Sequence, residues 1–168
     1  MEKKKILLVD DDMDVIAIVS TILENENFEV ITATNKKDGI EKAMTEKPDL
    51  AILDVMMTTH YEGFELAKAF NDKEELKSIP KLMQTSIDVF SSSDQDAMNF
   101  ARMYRNNPEF KEMDVLLVED PKRKTAGIDY KNEDGKTVWV PVDGFIAKPI
   151  NSKVLLPEIH RLLHVEHV

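Results

Sequence analysis

The sequence predicts an α/β domain in which helices cover both faces of a parallel, doubly wound sheet. Three observations predict it. Ile6–Val9 and Ala51–Leu53 are short continuous apolar runs, the pattern of strands buried on both faces. Segments with apolar residues three and four apart separate the runs, so strands and helices alternate up to residue 85. Both runs close on carboxylates, Asp10 and Asp11 after the first and Asp54 after the second. The carboxyl ends of strands are where open parallel sheets bind ligands.

The elements follow in order. After the first strand, Val15, Ile16, Val19, Ile22 and Leu23 define one apolar helix face. Asp12 or Asp14 can cap that helix, and Asn25 to Asn27 ends it. Phe28 to Ala33 reads as the second strand. Asn35 caps a short helix carrying Ile40, Ala43 and Met44, which stops before Pro48. Leu50 to Asp54 is the third strand. A polar loop, Thr58 to Glu62, leads through Gly63 into a helix with Phe64, Leu66, Ala67 and Phe70, broken at Ser78-Ile79-Pro80. Lys81 to Thr85 is the fourth strand.

From 88 to 143 the rhythm changes, and this span reads as an insertion within one domain covering 1–168. Residues 94–105 have a helical pattern with Ala97, Met98, Ala101 and Tyr104 on one side. Val115 to Val118 is a short apolar run, and Lys122 to Lys124 is a basic cluster that reads as a solvated loop. Tyr130 to Val140 reads as a hairpin about the Asp134-Gly135 turn signal. Gly144 to Ala147 is the last strand and delivers Lys148 to its end, before Pro149. The final helix begins near Asn151 or Ser152 and runs to His164. Pro157 suggests that its regular part starts later than the cap.

Composition narrows the function. A net charge of −10 argues against nucleic acid as the main partner, whose footprint is usually basic. With no cysteine, disulfides and thiolate metal sites are excluded. The basic start MEKKK is followed by too short an apolar run for a signal peptide or membrane span, so a cytoplasmic protein without membrane contact is expected. His60, His160, His164 and His167 form no spacing that suggests a metal site.

Taken singly, Asp10, Asp11 and Asp54 read as helix caps or loop acids. Together at the ends of neighbouring strands they repel, and a hard divalent cation relieves that repulsion. Mg²⁺ suits carboxylate oxygens and keeps waters, leaving positions for phosphoryl oxygens. A carboxylate there can accept a phosphoryl group as an acyl phosphate. Thr85 supplies a hydroxyl and Lys148 a mobile positive charge at two further strand ends.

ILLVDDD, PDLAILDVMM, Thr85-Ser86 and GFIAKPI, in this order, resemble the landmarks of the bacterial response regulator receiver domain, over residues 3–87 and 144–165. The resemblance implies a flavodoxin-like five-stranded sheet of order 2-1-3-4-5, here with an inserted helix and hairpin between strands 4 and 5. It implies Asp54 as phosphoacceptor. Asp10 and Asp11 become the acidic pair, with Mg²⁺ held by Asp11, Asp54 and the Met56 carbonyl. Thr85 becomes the switch hydroxyl, Phe145 the switch aromatic and Lys148 the conserved-type lysine, with Lys148-Pro149 a candidate cis bond. Met56 also stands where its side chain could shield an acyl phosphate from water.

The sequence departs from the family pattern at Thr58, where proline is usual, with an extra residue before Gly63, and at Ser86, where alanine is common. Thr85 and Lys148 also stand much farther apart than usual. Helix 94–105 is expected to replace the family's fourth helix, with the hairpin as an added flap. The implied function is that of a stand-alone, non-enzymatic receiver. It takes its phosphoryl group from a sensor histidine kinase or phosphotransfer protein and signals to a downstream protein. Two rivals differ in class. One is a Mg²⁺-dependent phosphohydrolase of the haloacid-dehalogenase kind, for which Asp10 and Asp12 have the required spacing. The other is a phosphorylation-independent adaptor docking through the insertion.

Overall fold

The computed structural model describes residues 3–55, 57, 62–92, 95–108, 114–132 and 134–163. Five strands form one parallel sheet: β1 (Lys5–Val9), β2 (Glu29–Ala33), β3 (Leu50–Asp54), β4 (Lys81–Thr85) and, late in the chain, β9 (Gly144–Ala147). Their order is β2-β1-β3-β4-β9, and every pairing is parallel. This is the expected 2-1-3-4-5 order, with β9 as its fifth strand.

The alternation of side chains along the strands divides the core in two. Ile6, Leu8, Leu50, Ile52, Leu82 and Ile146 face one side. There they pack against Ile16, Val19 and Leu23 of α1 (Met13–Asn25) and against Leu155 and Ile159 of α5 (Ser152–Leu163). Leu7, Val9, Ala51, Leu53 and Met83 face the other, against Ala43 of α2 (Lys36–Glu46) and Phe64, Leu66, Ala67 and Phe70 of α3 (Glu62–Asp72). All five residues of β3 are buried, which is why it lacks a polar alternation.

Local chemistry sets the helix starts. The Asp12 side chain, rather than Asp14, caps α1 by accepting from Asp14 N at 2.9 Å. Asn35 caps α2 by accepting from Asp38 N. In α5, Asn151 accepts from Lys153 N, and the helix then runs unbroken through Pro157. Burial of Leu155 and Ile159 on either side of the proline outweighs the single hydrogen bond it removes.

Between β4 and β9 lies a second sheet of order β5-β6-β7-β8, comprising β5 (Val89–Ser91), β6 (Val115–Asp120), β7 (Thr125–Lys131) and β8 (Thr137–Val142). The expected hairpin is its β7–β8 edge. The connection is a five-residue loop rather than a two-residue turn, since Lys131 pairs with Thr137. Asn132 closes that loop by donating from its backbone N–H to Lys136 O and accepting on Oδ1 from Asp134 N and Lys136 N. Gly135 takes a φ of 78°, the left-handed conformation that glycine enters without strain. The Val115–Val118 run is an inner strand, β6, paired on both sides.

The placement expected for the inserted helix is corrected. Leu117, Ile128, Tyr130, Val140 and Val142 of the second sheet join the α2/α3 core, where Tyr130 stacks on Phe64 with ring centroids 4.9 Å apart. α4 (Ala97–Arg105) packs on the far side of that sheet, Ala97 and Ala101 against Leu116, Val118 and Trp139. The sheet therefore covers the core, and the helix forms an outer layer. A nine-residue helix with only two buried alanines has too little apolar face to cover the core itself.

Candidate functional site

The carboxyl ends of β1, β3, β4 and β9 meet at one rim. Asp10 and Asp54 are buried there and Asp11 is exposed. One carboxylate oxygen from each of the three lies within 4.8 Å of the others. Lys148 Nζ reaches across β4 from the end of β9, 3.0 Å from Asp54 Oδ1 and 3.1 Å from Asp10 Oδ2. Backbone contacts fix these groups. Lys148 N donates to Thr85 O at 2.8 Å, Val55 N donates to Gln84 O, and Asp12 N donates to Asp10 Oδ1 at 2.9 Å. Lys148-Pro149 is cis, as the resemblance implied.

Electrostatics follow from this geometry. Burial disfavours the charge on Lys148, but the Asp54 and Asp10 carboxylates outweigh it and raise the ammonium above the ordinary lysine value. One ammonium set against three carboxylates leaves the cluster anionic when all are ionised. The donor set is entirely oxygen, one member is open to solvent, and the spacing suits one small ion. Asp10, Asp11 and Asp54 therefore fit a hard divalent cation. Met56, Thr58 and His60 lie outside the described residues, as do His164 and His167. His160 belongs to α5, with its ring centroid 6.2 Å from that of Phe28.

Thr85 ends β4, and its Oγ1 accepts from Ile87 N at 2.8 Å. Thr85, Lys148 and Phe145 line one open cavity of about 420 Å³ together with Ile87, Val89 and Glu119. The structure thus brings together Asp10, Asp11, Asp54, Thr85, Phe145 and Lys148. Asp12 caps α1 instead of joining the carboxylate cluster.

Two residues of this rim were given no role there by the sequence. A Cβ on Gly63 would collide with the backbone oxygens of Asp54 and Val55, so α3 seats directly on the end of β3. The signal was a glycine in a helical first turn, where alanine is otherwise favoured. Gln84 is a fully buried amide in β4, and its signal was a polar residue inside a buried strand.

The family model described as the response regulator receiver domain matches residues 6–103, more than half of the chain. The chain belongs to the response regulator receiver family. The receiver resembles the heme response regulator HssR of Staphylococcus saprophyticus, 36% identical over 124 residues, covering 73% of this chain and 54% of that protein. It also resembles the alkaline phosphatase synthesis transcriptional regulatory protein PhoP of Bacillus subtilis, 39% identical over 85 residues, covering 51% of this chain and 34% of that protein. The receiver thus spans between a third and about half of the length of these relatives. Among solved structures, the chemotaxis protein CheY4 of Vibrio cholerae is similar at 25% identity and a TM-score of 0.62, covering 96% of this chain and 99% of that one. Among the described residues, no helix of the receiver is long and apolar enough to cross a membrane.

Proposed function

We propose that Asp54 is the phosphoacceptor of a two-component or phosphorelay system. The observation that carries this is the bridging of Asp54 and Asp10 by Lys148 beside a third carboxylate, Asp11. An Asp54 oxygen attacks the phosphorus of a phosphohistidine on a sensor kinase or phosphotransfer protein. A P–O bond forms as the P–N bond breaks, and the leaving imidazole keeps the electron pair. Asp10, Asp11 and Asp54 would hold Mg²⁺, with the Met56 carbonyl the further ligand that the family resemblance implies. When bound, Mg²⁺ offsets negative charge on the transferring group. Lys148 adds its ammonium to the same charge, and the burial of Asp54 keeps bulk water from the acyl phosphate.

The new group brings about −1.5 to −2 charge. Thr85 Oγ1 then turns toward it and gives up the Ile87 N–H. Because β5 begins two residues after Ile87, the signal passes into the 88–143 insertion, a part of the same domain, and from there to a protein partner. Phe145, on the wall of the same cavity, follows Thr85. This is signalling by a cytoplasmic protein rather than catalytic turnover. The hydrolase alternative requires Asp12 as its acid, and Asp12 is engaged at the start of α1.

Incubation with acetyl phosphate and Mg²⁺, followed by intact mass, tests the assignment. Wild type should gain one phosphate and Asp54→Asn none. Equal labelling of both would remove Asp54 from the role.

A further inference from the structure

β4 reads KLMQT, and its side chains alternate between the two faces of the parallel sheet. Leu82 lies in the core against α1 and α5, and Gln84, two residues on, shares that face. Gln84 is in register with Asp54 of β3 on one side and Ile146 of β9 on the other. Residues paired in this way on parallel strands project to the same face, at a strand spacing of about 4.8 Å. Val9 pairs with Leu53, so Asp10 continues the row beyond Asp54. Lys148 follows Ile146 by two residues, and β4 lies between β9 and β3, so its stem spans the strand of Gln84 to reach both carboxylates.

Gln84 has no exposed surface, and neither its Oε1 nor its Nε2 has a hydrogen-bond partner among the described residues. An unpaired carboxamide is unfavourable in a core, and leucine or methionine would occupy that space without the polar cost. The amide is therefore an anomaly for stability, and it stands in the row of the reacting carboxylate. It also carries both halves of what the site needs. Lys148 has three N–H donors; its Nζ donates to Asp54 Oδ1 and pairs in charge with Asp10 Oδ2 at 3.1 Å, and Gln84 Oε1 can accept a further N–H. Once the ammonium turns to a phosphoryl group, Gln84 Nε2–H, one strand away in the same row, can donate to the Asp54 oxygen that it leaves.

We infer that Gln84 is a positioning residue for phosphoryl chemistry at Asp54, taking over the Asp54 oxygen that Lys148 releases and thereby setting the rates at which the acyl phosphate forms and decays. This rests on the phosphoacceptor assignment above. The test uses Gln84→Met and Gln84→Leu in the full chain. Thermal midpoint, Mg²⁺ affinity, the rate of phosphorylation by acetyl phosphate at saturating Mg²⁺ and the first-order loss of phosphate are all measured. The expected result is a thermal midpoint equal to or above wild type, unchanged Mg²⁺ affinity, and a phosphorylation rate lower by about tenfold, the equivalent of one lost charge-assisted hydrogen bond in the transition state. Unchanged rates in folded variants would overturn the inference. So would failure of both variants to fold, which would assign the amide to structure. A parallel fall in Mg²⁺ affinity would move the effect to the acidic cluster and overturn it likewise. Labelling of Asp54→Asn, or no labelling of wild type, would instead sink the phosphoacceptor assignment, and this inference with it.

Discussion

Lys148 Nζ lies 3.0 Å from Asp54 Oδ1, although 94 positions separate the two residues in the chain. The contact exists because β9 returns to pair with β4 after the whole second sheet has been built. It places the Lys148 ammonium between two buried carboxylates.

Removing that ammonium leaves Asp10 and Asp54 buried without their shared cation. Lys148→Met is expected to destabilise the fold by about 3 kcal/mol at neutral pH. The loss should shrink in millimolar Mg²⁺, which supplies positive charge to the same oxygens. Urea unfolding with and without Mg²⁺ measures both.

The alkaline limb of stability has a definite sign. The folded-state pKa of Lys148 lies above its unfolded value, so its stabilisation is complete below about pH 10.5 and is lost as pH rises through the folded value. Lys81 works in the opposite direction. Burial lowers its pKa, with Asp143 3.9 Å away opposing only in part, so stability rises with pH between that lowered value and about 10.5. Lys81→Met should therefore steepen the alkaline loss, and Lys148→Met should flatten it. Unfolding curves from pH 8 to 12 on the two variants and wild type check this.

Mg²⁺ should raise the thermal midpoint of wild type, in line with about 2.7 kcal/mol at a hundred times its Kd. Asp11→Asn should weaken that response by removing a donor with little loss of packing, since Asp11 is exposed. Equal responses in the two proteins would mean that the ion binds elsewhere.

Gly63→Ala sets a Cβ against the carbonyl oxygens of Asp54 and Val55, which are backbone and yield poorly. A cost of about 1–3 kcal/mol is expected. Because the displaced backbone carries Asp54, the proposed phosphoacceptor, the phosphorylation rate should fall with stability. Acetyl phosphate labelling beside a thermal melt shows whether the two fall together.

Gly127→Ala separates the second sheet from the site. Its Cβ would meet the ring of Trp139, the only tryptophan in the chain. The seat of α4 on Leu116 and Val118 should loosen, with a red shift in tryptophan emission. Asp54 labelling by acetyl phosphate should stay near wild type, since the acidic rim belongs to the other sheet.

Much of the parallel sheet was legible in the sequence because its signals are local. Ile6–Val9 and Leu50–Asp54 are apolar runs with carboxylates at their ends, and Asn35 and Asp12 cap helices through atoms a few residues away. The span from 88 to 143 was less legible. Val89–Ser91 is only three residues long, and it becomes a strand by pairing with Val118 and its neighbours across α4. Whether a short apolar run is a flap or an inner strand depends on what covers it, and residue spacing carries no record of that.

By itself the sequence determined the residue types of the rim, Asp54 with its companion acids and one lysine, and the order in which the strands deliver them. Tertiary structure alone decided that the second sheet, rather than a helix, covers the α2/α3 core. It also decided that Gly63 must leave room for a backbone, and that Gln84 stands buried beside Asp54. Side-chain chemistry is written residue by residue, whereas cover and close approach arise between segments far apart in the chain, where competing apolar areas and steric fit settle which surfaces meet.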